Sequence, residues 1–438
     1  MKWSKYSYLF FSPKYGYFIY NSVTNSFVRI QDELKQKIEN IKIWDKTSFS
    51  SFPTEFQEIL LNHKIIVNEE EDKEYYLKKK YAKYNSAFNS TTLSLTIATT
   101  TGCNFACPYC FEKGAQPVTM NERVEEKLIN FADSSSADFL KVTWYGGEPL
   151  MNFETIKRLS QAFKELNKFK QIDYSIITNG YFLTEDKCSF LADYNVKSIQ
   201  ITIDGLPDTH NKSRIAKNGQ PTFGPIVLNI DKAAVALPNC RFTIRVNISK
   251  QNGDEYAQLY KELMERWKDL KNISIYFSFV EDYGMCDVDC YNSQEKIKFI
   301  RELREKYHIN SRNFYPRSSL SLCVANSKNG YVVSANGDLY KCWSDLGKKD
   351  KVVGSIMDGK LTNYSLLAHY ALDMDKFSDD KCKECFLFPV CSGGCPQHRY
   401  TTLNNEQQHD ICPYESVNID AVLEMIYEDY QLMKTKTQ

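Results

Sequence analysis

Residues 93–110 read L-S-L-T-I-A-T-T-T-G-C-N-F-A-C-P-Y-C, and this stretch decides the fold. Its first half is an apolar and β-branched run of strand length, and its second half packs Cys103, Cys107 and Cys110 into one tight loop. The strand is the first of a series. Apolar runs at 93–98, 142–145, 174–177, 198–203, 242–248 and 273–280 alternate with helical periodicities at 121–132, 153–166, 185–194, 224–236 and 254–267. Six βα units predict an α/β fold with a parallel sheet or an incomplete barrel, whose chemistry gathers at the C-terminal strand ends. The cysteine triplet follows the first strand, Gly146-Gly147-Glu148-Pro149 the second, Thr178-Asn179-Gly180 the third and Asp204-Gly205 the fourth.

Upstream, strands are expected at 7–11, 17–20 and 26–30, with turn residues between them. Leu34, Ile38 and Ile41 keep helical spacing, as do Phe56, Ile59, Leu60 and His63, before a short apolar run at 65–67. Residues 69–85, almost uninterrupted charge and tyrosine, read as a solvated helix or linker. Downstream, a helix over 292–307 precedes a loop-rich, cysteine-rich region at 311–415, and a helix from Ile419 to Met433 closes the chain. The expected domains are 1–88, 89–291, 292–415 and a C-terminal helix, 416–438.

Lysine plus arginine and aspartate plus glutamate both number 55, so the chain lacks the positive field that a nucleic-acid or anionic-membrane binder carries. No stretch approaches the roughly 20 apolar residues of a membrane span, and the first 13 residues are too polar for a secretory signal. A cytoplasmic protein with no nucleic-acid or membrane partner is expected. Fourteen cysteines in a large chain without an export signal read as reduced thiols, and their clustering suggests metal ligation. Cys188 and Cys240 read as core thiols, and none of the six histidines sits in a metal-like cluster.

Thiolates are the usual ligands of iron–sulfur clusters, and three cysteines on a four-iron cluster leave one iron open. An open iron can chelate an amino and a carboxylate group. The alternatives are a zinc site or buried thiols, but zinc takes four ligands and the loop holds no fourth cysteine or histidine. C-N-F-A-C-P-Y-C resembles the signature loop of the radical S-adenosylmethionine (SAM) superfamily. The resemblance covers about 90–290 and implies a 4Fe–4S cluster on Cys103, Cys107 and Cys110, the catalytic residues, with SAM on its open iron. Gly146, Gly147, Glu148 and Pro149 look like the segment that receives the SAM ammonium. Tyr109 and Phe111 would pack near the adenine, Thr202 and Asp204 would contact the ribose with Asn179 nearby, and Arg214 would pair with the carboxylate, for which its donor fork is suited.

The run Cys323, Cys342, Cys382, Cys385, Cys391, Cys395, Cys412 resembles the SPASM domain, a C-terminal module of peptide-modifying radical SAM enzymes. The resemblance implies an outer auxiliary cluster on Cys382, Cys385, Cys391 and Cys412 and an inner one on Cys323, Cys342 and Cys395, short of one ligand. Cys286 or Cys290 would complete the inner cluster, or its iron stays open, the option this reading prefers. Structural zinc is the alternative.

The N-terminal segment resembles the winged-helix-like peptide-recognition element of many peptide maturases, in which a leader peptide adds as a strand to a sheet edge. The expected architecture is therefore a partial (β/α)6 TIM barrel between that element and a SPASM domain. The expected function is maturation of a ribosomally made precursor peptide: SAM is cleaved reductively, and its 5′-deoxyadenosyl radical abstracts hydrogen to install a thioether, carbon–carbon or carbon–oxygen crosslink. An electron donor such as flavodoxin or ferredoxin is implied. An anaerobic sulfatase-maturating enzyme is the alternative, weakened because Trp343 follows Cys342 where those enzymes carry an aspartate base; Asp345 is two residues on. A metal-stabilised peptide-binding or electron-transfer protein is the non-enzymatic alternative.

Overall fold

The computed structural model describes residues 1–42, 49–110, 112, 116–281, 289–310, 323–413 and 416–436. Phe111 and Cys286 lie outside them. The chain forms two compact units, each built from more than one stretch. The first holds Met1–Ala87, Cys323 and His369–Gln438; the second holds Phe88–Ser311 and Val324–Ala368.

In the first unit, β1 (Lys2–Trp3) pairs antiparallel with β5 (Ile66–Val67), while β2 (Ser7–Ser12), β3 (Gly16–Asn21) and β4 (Ser26–Ile30) form an antiparallel sheet in the order β2-β3-β4. Strand alternation sends the apolar residues of this sheet to both faces. On one face Ile19, Val28 and Ile30 pack with Ile38 and Ile41 of helix Lys35–Lys42 and Leu60 of helix Thr54–Asn62. On the other, Phe10, Phe18 and Tyr20 pack on Leu423, with Ile419, Ile426 and Tyr427 of the same C-terminal helix, Ile419–Lys436, against them. The charged run expected as a solvated helix or linker is the helix Glu71–Ala87. It is less solvated than its composition suggests: Asp72 is buried and accepts from Ser4 Oγ at 2.8 Å and Lys5 N at 2.9 Å, and buried Lys83 pairs with Asp375.

In the second unit, β6 (Thr92–Thr100), β7 (Phe139–Gly146), β8 (Gln171–Thr178), β9 (Ser198–Thr202), β10 (Arg241–Ile248) and β11 (Ile273–Phe279) lie parallel in chain order, as the βα alternation requires. Between them run helices Glu122–Ser134, Phe153–Glu165, Glu185–Asp193, Phe223–Ala236 and Tyr256–Arg266, all within a few residues of their expected bounds. Each buries one stripe; Ile156, Leu159 and Phe163 are spaced as one helical face and are fully enclosed. Cys188 and Cys240 are buried core residues.

Periodicity did not reveal the β-structure within 324–368. There β12 (Gly330–Val333) adds parallel to the outer edge of β6, and β13 (Asp338–Tyr340), β14 (Gly354–Ser355) and β15 (Lys360–Leu361) continue the sheet antiparallel. Strands of two to four residues carry too little alternation to stand out from loop. No helix among the described residues is long and apolar enough to cross a membrane.

Leu423 is fully buried against the β2-β3-β4 sheet. Leu423→Ala is expected to cost about 2–5 kcal/mol, read by calorimetry as a lowered melting transition of the first unit; an unchanged thermogram would show that this helix does not hold the sheet.

Candidate active site

The cysteine loop is set by a close approach of two strand ends. Gly147 N donates to Thr100 O at 3.0 Å and Glu148 N to Gly102 O at 2.9 Å, lashing the end of β7 to the end of β6. Only glycine permits this: Gly146 has φ +118°, and a Cβ on Gly147 would lie 2.3 Å from the carbonyl oxygen of Gly102. The loop is held on its other side by Ala106 N donating to Ile215 O at 2.8 Å and Lys217 N to Asn104 O at 2.9 Å, immediately after Arg214.

Burial pushes the Cys103 thiol up to about 11 and raises Cys107 and Cys110 as well. Each thiol feels another of the three electrostatically, and the Arg214 guanidinium counters the rise at all of them. Among the described residues no group of three or more His, Cys, Asp or Glu is gathered closely enough to hold a single metal ion. The donor set, three thiols from one loop in mutual electrostatic reach, fits a polynuclear iron–sulfur cluster with one iron left open. No disulfide joins any of the thirteen described cysteines.

Residues that the sequence suggested as separate contacts form one network. Tyr109 Oη donates to Asp204 Oδ2; Arg214 Nη1 donates to Tyr109 Oη at 2.9 Å and lies 3.7 Å from Asp204 Oδ2. Asp204 Oδ1 accepts from Asn247 N at 3.0 Å, and Asn252 Nδ2 donates to Asp204 O at 2.7 Å. Burial raises the Asp204 carboxyl, opposed by Arg214 and by the hydrogen bonds from Tyr109 and Asn247 N. The guanidinium is buried, its Cζ 5.5 Å from the Phe105 ring centroid, and its Nε has no hydrogen-bond partner among the described residues. An unspent N–H of a buried cation is a ready site for an anion.

Glu148 is wholly buried. Its carboxylate accepts from Leu150 N at 2.9 Å, Thr178 Oγ1 at 2.7 Å and Asn179 N at 2.7 Å. It thus spends three of about four acceptor positions on the chain itself. Asn179 Nδ2 donates to Asn104 Oδ1 at 2.8 Å, bringing the third strand end to the loop. Pro149 opens the short helix after Glu148, and Thr202 ends β9 beside Arg245 of β10. Sequence reasoning missed Asn247, Asn252 and Glu112, since no motif marks them. Burial pushes Glu112 up to about 7, and its Oε1 has no hydrogen-bond partner among the described residues.

In the same unit, buried Cys342 precedes Trp343, whose ring lies 5.7 Å from that of buried Tyr145 at an interplanar angle of 23°. Tyr145 feels both Cys110 and Cys342. Asp345 is buried, with Lys348 Nζ 3.7 Å from its Oδ1. In the first unit, Cys385 feels Cys382 and Cys412, and Cys391 feels Cys385 and Cys412, so these four thiols form a second group. Gly394 lets the chain before Cys412 approach: a Cβ there would lie 2.4 Å from Ile411 O. Cys323 and Cys395 are exposed.

Residues 97–263 match the family described as the radical SAM superfamily. A serine-type anaerobic sulfatase-maturating enzyme of Bacteroides thetaiotaomicron is 24% identical over 348 residues, 68% of this chain and 81% of the relative. The sporulation killing factor maturation protein SkfB of Bacillus subtilis is 24% identical over 39% of each chain. Among solved structures, anSMEcpe with bound AdoMet superposes with a TM-score of 0.61 at 20% identity, covering 79% of this chain and 100% of that one. Streptococcus suis SuiB bound to S-adenosylmethionine superposes with a TM-score of 0.53 at 17% identity, covering 93% and 97%.

The crossing at Gly147 leaves no room for a methyl group. Gly147→Ala is expected to displace the Cys103 loop and to lower iron incorporation by about four atoms per chain, counted after anaerobic reconstitution; full iron content would show that the loop tolerates the shift.

Proposed function

This chain is a radical SAM enzyme related both to sulfatase maturases and to maturases of ribosomally made peptides, and we propose that it matures a precursor peptide by an intramolecular crosslink. The observation that carries the choice is the β2-β3-β4 sheet. Helices cover both of its faces, and β4 has a strand neighbour on one side only among the described residues, so its free edge offers backbone donors and acceptors to an added strand. SuiB has been solved with its precursor peptide SuiA, and the likeness of fold to that complex spans 93% of this chain.

In this reading Cys103, Cys107 and Cys110 hold the SAM-binding cluster, and Cys382, Cys385, Cys391 and Cys412 an outer auxiliary cluster. When bound, the first cluster supplies the electron that cleaves SAM to the hydrogen-abstracting 5′-deoxyadenosyl radical. The chain's own part is to position the substrates. Arg214, fixed by Tyr109 and Asp204, turns its unspent Nε to the SAM carboxylate. Glu148 holds the strand ends that shape the pocket and keeps one acceptor position for the SAM ammonium. Tyr109 and Thr202 border the nucleoside. Trp343 on Tyr145 presents an aromatic surface, where the sulfatase maturases carry a base.

The sulfatase-maturating reading retains the support of several relatives. Anaerobic incubation with SAM, a chemical reductant and synthetic peptides from any short reading frames beside the gene, run in parallel with a sulfatase peptide, separates the two. Peptide-dependent 5′-deoxyadenosine and a two-hydrogen loss in the peptide mass are expected. Formylglycine in a sulfatase peptide, with no change in the precursor, would overturn the proposal. Arg214→Lys should weaken SAM binding by about 1.5–3 kcal/mol, read by calorimetry on the reconstituted protein.

A further inference from the structure

The thiols of Cys382, Cys385, Cys391 and Cys412 lie in a different electrostatic setting from those of the cysteine loop. Arg399, on helix Pro396–Leu403, is buried and directs its fork to the Cys382 end of this second group. Nη2 donates to Cys382 Sγ at 3.2 Å, Nη1 to Asp379 Oδ2 at 2.8 Å and Nε to Gly393 O at 2.7 Å. Asp379 caps the short helix carrying Cys382, accepting from Lys381 N at 2.9 Å and Cys382 N at 3.2 Å, so the guanidinium also fixes where that sulfur points. A second buried cation stands alongside. Lys376 Nζ donates to the carbonyls of Phe388 and Cys391, each at 2.6 Å.

Two buried cations and one carboxylate thus face the second group of thiols. Around the first, the balance is reversed: Cys103 feels Glu148, Cys107 feels Asp204 and Cys110 feels Glu112, against the single cation Arg214. Reduction adds one negative charge to a cluster. Positive charge and hydrogen bonds on the ligating sulfurs stabilise the reduced form, and carboxylates destabilise it. A hydrogen bond from a charged donor is about twice as strong as a neutral one.

We propose that Arg399, through its hydrogen bond to Cys382 Sγ, raises the reduction potential of the outer cluster, so that this cluster takes an electron at a higher potential than the SAM-binding cluster. This rests on the reading of Cys382, Cys385, Cys391 and Cys412 as one cluster site. Arg399 is a positioning residue that acts through the Cys382 thiol, so a potential, and not turnover, is the proper measure of its role.

The test is an anaerobic redox titration of the reconstituted full chain, followed by electron paramagnetic resonance, in the natural sequence and in a C103A/C107A/C110A background that isolates the auxiliary signals. Arg399→Gln is expected to make one-electron reduction of the outer cluster at least about tenfold less favourable, a downward shift of about 59 mV, with the signal of the Cys103 loop unmoved. Arg399→Lys, which keeps the charge but shortens the reach, should shift it less, and Lys376→Gln should shift it in the same direction. Unchanged potentials at full iron content in Arg399→Gln would overturn the proposal. Should that variant lose iron, an unchanged potential in Arg399→Lys and Lys376→Gln would do the same. Cys385→Ala reports on the underlying assignment: it should remove about four irons together with the tuned signal, and full retention would sink the cluster site itself.

Discussion

The buried carboxylate of Glu148 is the interaction on which the C-terminal strand ends around the cysteine loop depend. A charge without any exposure is costly unless it is hydrogen-bonded, and here donors from three places meet it: the helix that follows, the Thr178 hydroxyl and the Asn179 amide. These bonds tie the end of β7 to the end of β8, while the two glycines before Glu148 tie β7 to β6. The cysteine loop therefore leaves a strand end whose position is fixed by its neighbours. Removing any of these contacts would act on the loop without touching a thiol.

A second constraint is charge. Burial raises all three loop thiols, which disfavours the thiolate form that a metal ligand needs. Arg214 is the cation that eases this, and Tyr109 and Asp204 keep it at the loop. One guanidinium thus serves the thiols on one side and offers an unspent N–H on the other.

The chain also returns on itself to finish each unit. The C-terminal helix covers the second face of the N-terminal sheet, and 324–368 extends the barrel sheet beyond β6. Covering both faces leaves the N-terminal sheet only its edges, and an edge is what an extended peptide can join.

Much was legible in the sequence. The six parallel strands and their helices were, because alternating periods of two and 3.6 residues survive in long elements. The candidate site at their C-terminal ends followed from the cysteine spacing and the Gly146–Pro149 turn, because glycine at a close approach and thiols in a tight loop leave a mark in the text. What only the tertiary structure decided is which groups meet. Tyr109, Asp204 and Arg214 form one network, Asp72 and Lys83 are buried within a charged run, and Arg399 reaches Cys382 across 17 residues. Such pairings depend on the packing of distant segments, and a polar residue leaves no periodic trace of the partner that makes its burial affordable.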